Sequence, residues 1–125
     1  MKLATIFVAV CSLAALVCAQ SGLAAEKRLL LVHLTSYTTD ESRKAIDYAK
    51  DALERGRPVV IFLTDRGVLA AALPQAETYK DQQQALTELM TRGAIVMVCP
   101  DCMKRYGVEA KNLLAGVKIS SQRHS

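Results

Sequence analysis

A chain of 125 residues, 51 % hydrophobic and 22 % charged, is sized for one domain. Its 16 Lys and Arg against 12 Asp and Glu give a net charge of +4. That excess is mild and evenly scattered, with no Trp and no basic run interleaved with aromatics, which argues against a nucleic-acid surface.

The N-terminus reads as a targeting segment. Lys2 gives a short positive start, and residues 3–17 are almost wholly apolar, interrupted only by Thr5, Cys11 and Ser12. The run is too short to span a bilayer and ends abruptly, as a secretory signal does. Small residues place cleavage after 19, 24 or 25, so residues 1–25 are expected to be removed and the protein to work in the periplasm or outside the cell. The bulky Val17 before Cys18 fits poorly with lipid attachment, and no stable membrane anchor is expected. Loss of Lys2 lowers the net charge from +4 to +3, and loss of Cys11 and Cys18 leaves only Cys99 and Cys102.

The domain is expected over residues 26–119. The run Arg28-Leu29-Leu30-Leu31-Val32-His33-Leu34 reads as a strand buried on both faces. Thr38 and Glu41 have capping-box spacing for a helix over 40–55, with Ala45, Ile46, Ala49, Ala52 and Leu53 on one face. Gly56 and Pro58 end it. A second buried strand follows at 59–63, then a loop at 64–67 in which Gly67 is a candidate for positive φ. Residues 68–73 suggest a helical turn ended by Pro74. A helix over 78–91 turns Ala85, Leu86, Leu89 and Met90 inward and stops at Gly93. The third strand, 94–98, runs into Cys99. A short helix is predicted at 100–106, with Pro100 in first position and Gly107 after it. A short last strand falls at 117–119, and 120–125 is a polar tail.

Alternating strands and helices imply an α/β fold with a mostly parallel sheet and helices on both faces. Sites in such sheets form at the carboxyl ends of the strands, so 33–36, 64–67 and 99–102 should share one edge. If the first strand lies between the second and third, His33 and Cys99 are neighbours.

Cys99-Pro100-Asp101-Cys102 carries the chemistry. Cys99 ends a buried strand at a helix start, where unpaired N–H groups favour a thiolate. Cys102 falls in the first turn, placed to attack a mixed disulfide or persulfide on Cys99. Lys104 and Arg105 add positive charge and Asp101 opposes it. The competing readings are a structural disulfide, a pair of core cysteines, or a metal contact, for which only His33 could help and two further ligands are needed. His33 is either a satisfied strand histidine or a base or donor toward Cys99. Ser36 and Asp65 could line the same edge, though such residues commonly just form turns. No Gly-x-Gly-x-x-Gly follows the first strand and no paired carboxylates appear, so no cofactor and no resident metal are assigned.

Val98-Cys99-Pro100-Asp101-Cys102, then Tyr106-Gly107, then Leu113-Leu114-Ala115-Gly116-Val117, resembles the DsrE-like family of sulfur-handling proteins. Ile61-Phe62-Leu63 with Asp65-Arg66-Gly67-Val68 is similar to its second-strand segment. The resemblance implies a three-layer α/β/α domain with four to five mostly parallel strands, a homo-oligomer, and sulfur held as a persulfide. The family's carrier cysteine ends a strand eight residues before a helix-closing glycine; Cys99 and Gly107 match that spacing. Cys102 has no counterpart in the relay members, and an exported chain cannot meet transfer RNA, so that role is not carried over. The expected function is an exported sulfur carrier or thiol-redox protein, with Cys99 as carrier, Cys102 as resolving thiol and His33 beside them. Its partners would be a sulfur donor or acceptor protein or a small sulfane-sulfur compound. A carrier of this kind hands on its cargo without turnover of its own. The alternative is a non-catalytic oligomeric binding module with a Cys99–Cys102 disulfide or a metal contact.

Overall fold

The computed structural model describes residues 28–36 and 39–121. The expected signal segment, the Thr38 cap and residues 122–125 lie outside them. Strand β1 (Leu30–Leu34) leads to helix α1 (Thr39–Glu54) and strand β2 (Val59–Leu63). Two 3-10 stretches, Asp65–Ala71 and Leu73–Gln75, precede helix α2 (Ala76–Thr91). Strand β3 (Ile95–Val98), helix α3 (Pro100–Tyr106), a 3-10 turn at Ala110–Asn112 and strand β4 (Lys118–Ile119) complete the order. Among the described residues, no helix is long and apolar enough to cross a membrane.

The helices follow from their sequence faces. Ile46, Ala49 and Ala52 of α1 are buried, as helical spacing requires, with Ala45 and Leu53 packed beside them. Asp40 and Glu41 sit in its first turn, where the helix dipole favours negative charge. Leu86 and Leu89 of α2 are buried against the same core, and its buried face also takes in Tyr79, Gln82 and Gln83. The Gln83 amide donates to the Ala72 carbonyl at 2.7 Å, which satisfies both buried groups and holds the 3-10 segment to α2. Pro74 falls in the first turn of the second 3-10 stretch and starts it, where the sequence suggested a stop.

The four strands are all parallel, in the order β1-β2-β3-β4. This corrects the placing of the first strand between the second and third. A strand covered on both sides would not alternate as β1 does, with Val32 and Leu34 buried and Leu31 and His33 exposed.

That order also determines where the helices go. When strands add in one direction and every crossover has the usual right hand, all connections fall on the same face; covering both faces needs a reversal of strand order. In agreement, Val32, Leu34, Ile61, Leu63, Val96 and Val98 share one core with the buried faces of α1 and α2 and with Met103 and Leu114. The expected α/β fold with a parallel sheet of four strands is present. The expected burial of the strands on both faces is not, because among the described residues all crossover helices serve one face. Ser120, which composition placed in the tail, is buried, and its N–H extends the sheet ladder to the Val98 carbonyl.

Candidate functional site: a thiol pair at the start of a short helix

The carboxyl ends of the strands are tied in series. The Thr64 N–H donates to the Leu34 carbonyl, and the Cys99 N–H to the Leu63 carbonyl, both at 3.0 Å. The parallel ladder thus runs one residue past β2 and β3 and fixes the backbone of Thr64 and Cys99 before the chain turns away.

Cys99 is the N-cap residue of α3, with the extended φ of −77° and ψ of 121° that such residues adopt. Its sulfur accepts the Cys102 N–H at 3.4 Å, taking the place of a Ser or Asp oxygen, and its carbonyl accepts the Met103 N–H at 3.0 Å. Pro100 follows at the first helical position, where the missing N–H costs nothing. Gly107 ends the helix at a φ of 69°, in the left-handed region that a side chain disfavours. Both cysteines are free thiols; Cys99 is buried and Cys102 half-buried.

Burial pushes the Cys102 thiol above its ordinary value, and the side-chain hydrogen bond and charge interaction with Cys99 push the same way. The Asp65 main-chain N–H and the Arg105 charge act in the opposite direction without cancelling these. Cys102 is therefore held as a neutral thiol beside the Cys99 sulfur, which already accepts its N–H.

Asp65 completes the arrangement, a residue that the sequence offers for this edge as well as for a plain turn. It has a φ of 50°, the single positive value outside glycine among the described residues. Asp is one of the few side chains that tolerate this conformation. Its Oδ1 accepts the Tyr106 hydroxyl at 2.7 Å and lies 3.8 Å from Arg105 Nη1. The loop after β2 is thereby latched to the last turn of α3, while its N–H meets the Cys102 sulfur in the first turn. The available sequence signal was Tyr106 and Arg105, one turn beyond Cys102 on a helix predicted to stop at Gly107.

His33 does not reach Cys99. It is exposed on the sheet face away from the helices, with β2 between its strand and β3. Its ring stacks on Phe62 with centroids 5.7 Å apart, and Nε2 shares a hydrogen bond with the Thr64 hydroxyl. It thus touches the residue before Asp65 and not the thiols. Ser36 donates to Glu41 at 3.2 Å, a bond at the start of α1. Among the described residues, no group of three or more His, Cys, Asp or Glu side chains is gathered to hold a metal ion.

The sequence model of the DsrE/DsrF-like family matches residues 27–123. The uncharacterized protein MJ0989 of Methanocaldococcus jannaschii is 28 % identical over 96 residues, covering 76 % of this chain and 84 % of its own. Among solved structures, a protein of unknown function from Methanobacterium thermoautotrophicum, MTH1491, superposes with a TM-score of 0.68 at 14 % identity, over 77 % of this chain and 84 % of that one. The ychN protein of E. coli gives a TM-score of 0.62 at 23 % identity, over 75 % and 83 %. At these identities the two structures speak to the fold.

Proposed function

Since the chain belongs to the DsrE/DsrF-like family, whose general theme is sulfur relay, we propose that it is an exported sulfur carrier with Cys99 as the carrying thiol. The observation that supports this reading most is the sulfur pair itself. Cys99 sits at a helix start with its sulfur accepting an N–H, and the second thiol lies within reach of it.

In the reaction envisaged, the Cys99 thiolate attacks the outer sulfur of a persulfide or polysulfide donor. The donor's S–S bond breaks, a Cys99 persulfide forms, and the donor leaves as a thiolate that takes up a proton. Cys102 stays a thiol through this step, which suits its raised pKa. It can then attack the inner sulfur of the persulfide, releasing hydrosulfide and leaving a Cys99–Cys102 disulfide. An external dithiol returns both cysteines to thiols. Burial of Cys99 would shield the loaded sulfur from water and stray thiols. His33 enters only through the Thr64 hydroxyl, at the loop that carries Asp65.

The test is intact mass after incubation with polysulfide. A gain of one sulfur that reductant removes, present in Cys102→Ser and absent in Cys99→Ser, supports the carrier. An adduct that depends on Cys102 alone exchanges the two roles. No adduct, with a disulfide that resists mild reduction, favours the binding module.

A further inference from the structure

Tyr106 lies one helical turn beyond Cys102, so the two side chains share a face of α3. Tyr106 is half-buried, and its hydroxyl donates to Asp65 Oδ1 at 2.7 Å. The same carboxylate lies 3.8 Å from Arg105 Nη1, but that guanidinium is largely exposed and the ion pair is weak. The hydroxyl is therefore the main tie between α3 and the Asp65 side chain. Asp65 keeps a φ of 50° that the unaided backbone disfavours. On either side of it the chain is anchored, by the Thr64 N–H on the Leu34 carbonyl at 3.0 Å and the Gly67 N–H on the Thr64 carbonyl at 2.8 Å. In this conformation the Asp65 N–H donates to the Cys102 sulfur. Burial and the neighbouring Cys99 disfavour a thiolate at Cys102, whereas the Asp65 N–H and the Arg105 charge favour it. The other charged groups on these two elements, Arg66, Asp101 and Lys104, are exposed.

We infer that Tyr106 is a positioning residue for Cys102: through the Asp65 carboxylate it holds the Asp65 N–H on the sulfur that must become a thiolate. A hydrogen bond to sulfur strengthens as negative charge develops there, and a donor already in place needs no rearrangement at that moment. On the carrier reading, on which the role in turnover rests, the charge develops in the second step. The Cys102 proton passes to solvent and the Cys102 sulfur bonds to the Cys99 sulfur. The bond from Cys99 to the outer sulfur breaks, and its electron pair leaves on hydrosulfide. The two cysteine sulfurs end oxidised as a disulfide and the carried sulfur ends reduced. Loading of Cys99 needs no thiolate at Cys102, so the latch governs release and not loading.

The test is the alkylation rate of Cys102 in the reduced protein, read by fragment mass spectrometry. Tyr106→Phe keeps the ring and removes the hydroxyl. A threefold loss of thiolate, offset by somewhat under twofold in nucleophilicity, leaves a reaction about twofold slower. Tyr106→Phe is expected to show that slowing at pH 7, with the midpoint moved upward. Asp65→Ala, which lacks the acceptor, should slow alkylation likewise, and Asp65→Asn, which keeps one, should stay near the unsubstituted rate. If the carboxylate acted by charge alone, both Asp65 variants would speed alkylation, since each removes a negative charge near the sulfur. That result overturns the inference, as does an unsubstituted rate in Tyr106→Phe. Hydrosulfide release after loading with polysulfide reads the same latch in turnover. Tyr106→Phe should slow release about twofold more than it slows loading. Release at the unsubstituted rate from a loaded Tyr106→Phe protein overturns the latch and leaves the carrier standing. Absence of any adduct on Cys99 in the unsubstituted protein ends the carrier reading instead, and the alkylation rates, which need no added sulfur, still decide the inference.

Discussion

Cys102 is the side chain whose protonation the site controls most visibly. Its pKa is raised first by burial and then by the contact with Cys99. Alkylation of Cys102 should therefore have its midpoint above the ordinary thiol value of 9.0. Replacing Cys99 with Ala should lower that midpoint, because the hydrogen bond and the charge interaction go while Asp65 and Arg105 still act downward. Replacing Arg105 with Ala should raise it. Rate against pH, read by mass spectrometry on each variant, checks all three signs. The same shift links to stability: a thiol pKa raised by folding favours the native state below the ordinary value of 9.0 and loses that contribution as pH rises beyond it. Asp65 makes a second case. Asp65→Ala removes the Tyr106 hydroxyl's partner and places a residue less suited to positive φ in the loop, so a loss of about 1–2 kcal/mol in urea unfolding is expected. Asp65→Asn keeps an acceptor and the tolerance for that φ and should recover most of the loss. The sequence offered Asp65 for this edge but not the partners that hold it there. A lone Asp after a strand looks like any turn residue, and its partners lie 40 or so positions away, where no local pattern points.

At the level of elements, the helix ends and the strand cores were legible because they rest on local rules. Pro100 and Gly107 bound α3 within the predicted 100–106, and the alanine-rich face of α1 packs as its spacing required. The loop after β2 differs. Gly67 was read as a candidate for positive φ, whereas Asp65 takes that conformation. Gly67 is needed for a different reason: a Cβ there would stand 2.3 Å from the Leu34 carbonyl oxygen, a backbone atom that cannot swing aside. Gly67→Ala should push the 3-10 segment off the end of β1 and destabilise the fold by about 1–3 kcal/mol, measured as a shift of the urea midpoint at unchanged slope. Because Asp65 is two residues away, the midpoint of Cys102 alkylation should move in the same variant. Contact with a strand about thirty residues earlier is a tertiary fact, which a glycine's presence hints at without naming its cause.

For the whole molecule, alternation of strand and helix gave the parallel α/β class, and Cys99 at a strand end gave the edge on which the site lies. Strand order was beyond reach, since hydrophobic runs state that a strand is buried without stating which neighbours it has. His33 shows the cost of that gap. Near-continuous apolar runs in β1, β2 and β3 read as strands covered twice, and His33 beside Cys99 was conditional on a central β1, which the order β1-β2-β3-β4 does not have. The exposed Leu31 and Ile95 fit those runs if the second cover comes from outside the chain, a condition that one sequence does not display.

The order β1-β2-β3-β4 also has a meaning in time. No strand has to slip between two that are already paired; each new strand joins the free edge left by the one before it. A chain that becomes available from its N-terminus, whether from a ribosome or through a translocation pore, can build the sheet as it arrives. Its strand contacts span one crossover each, which keeps loop closures short and favours rapid folding. Cys99 and Cys102 belong to the third of these additions, and Ser120 pairs with Val98 only in the fourth. The thiols thus stand at the growing edge until near the end of assembly, and until then oxidants can meet them unshielded.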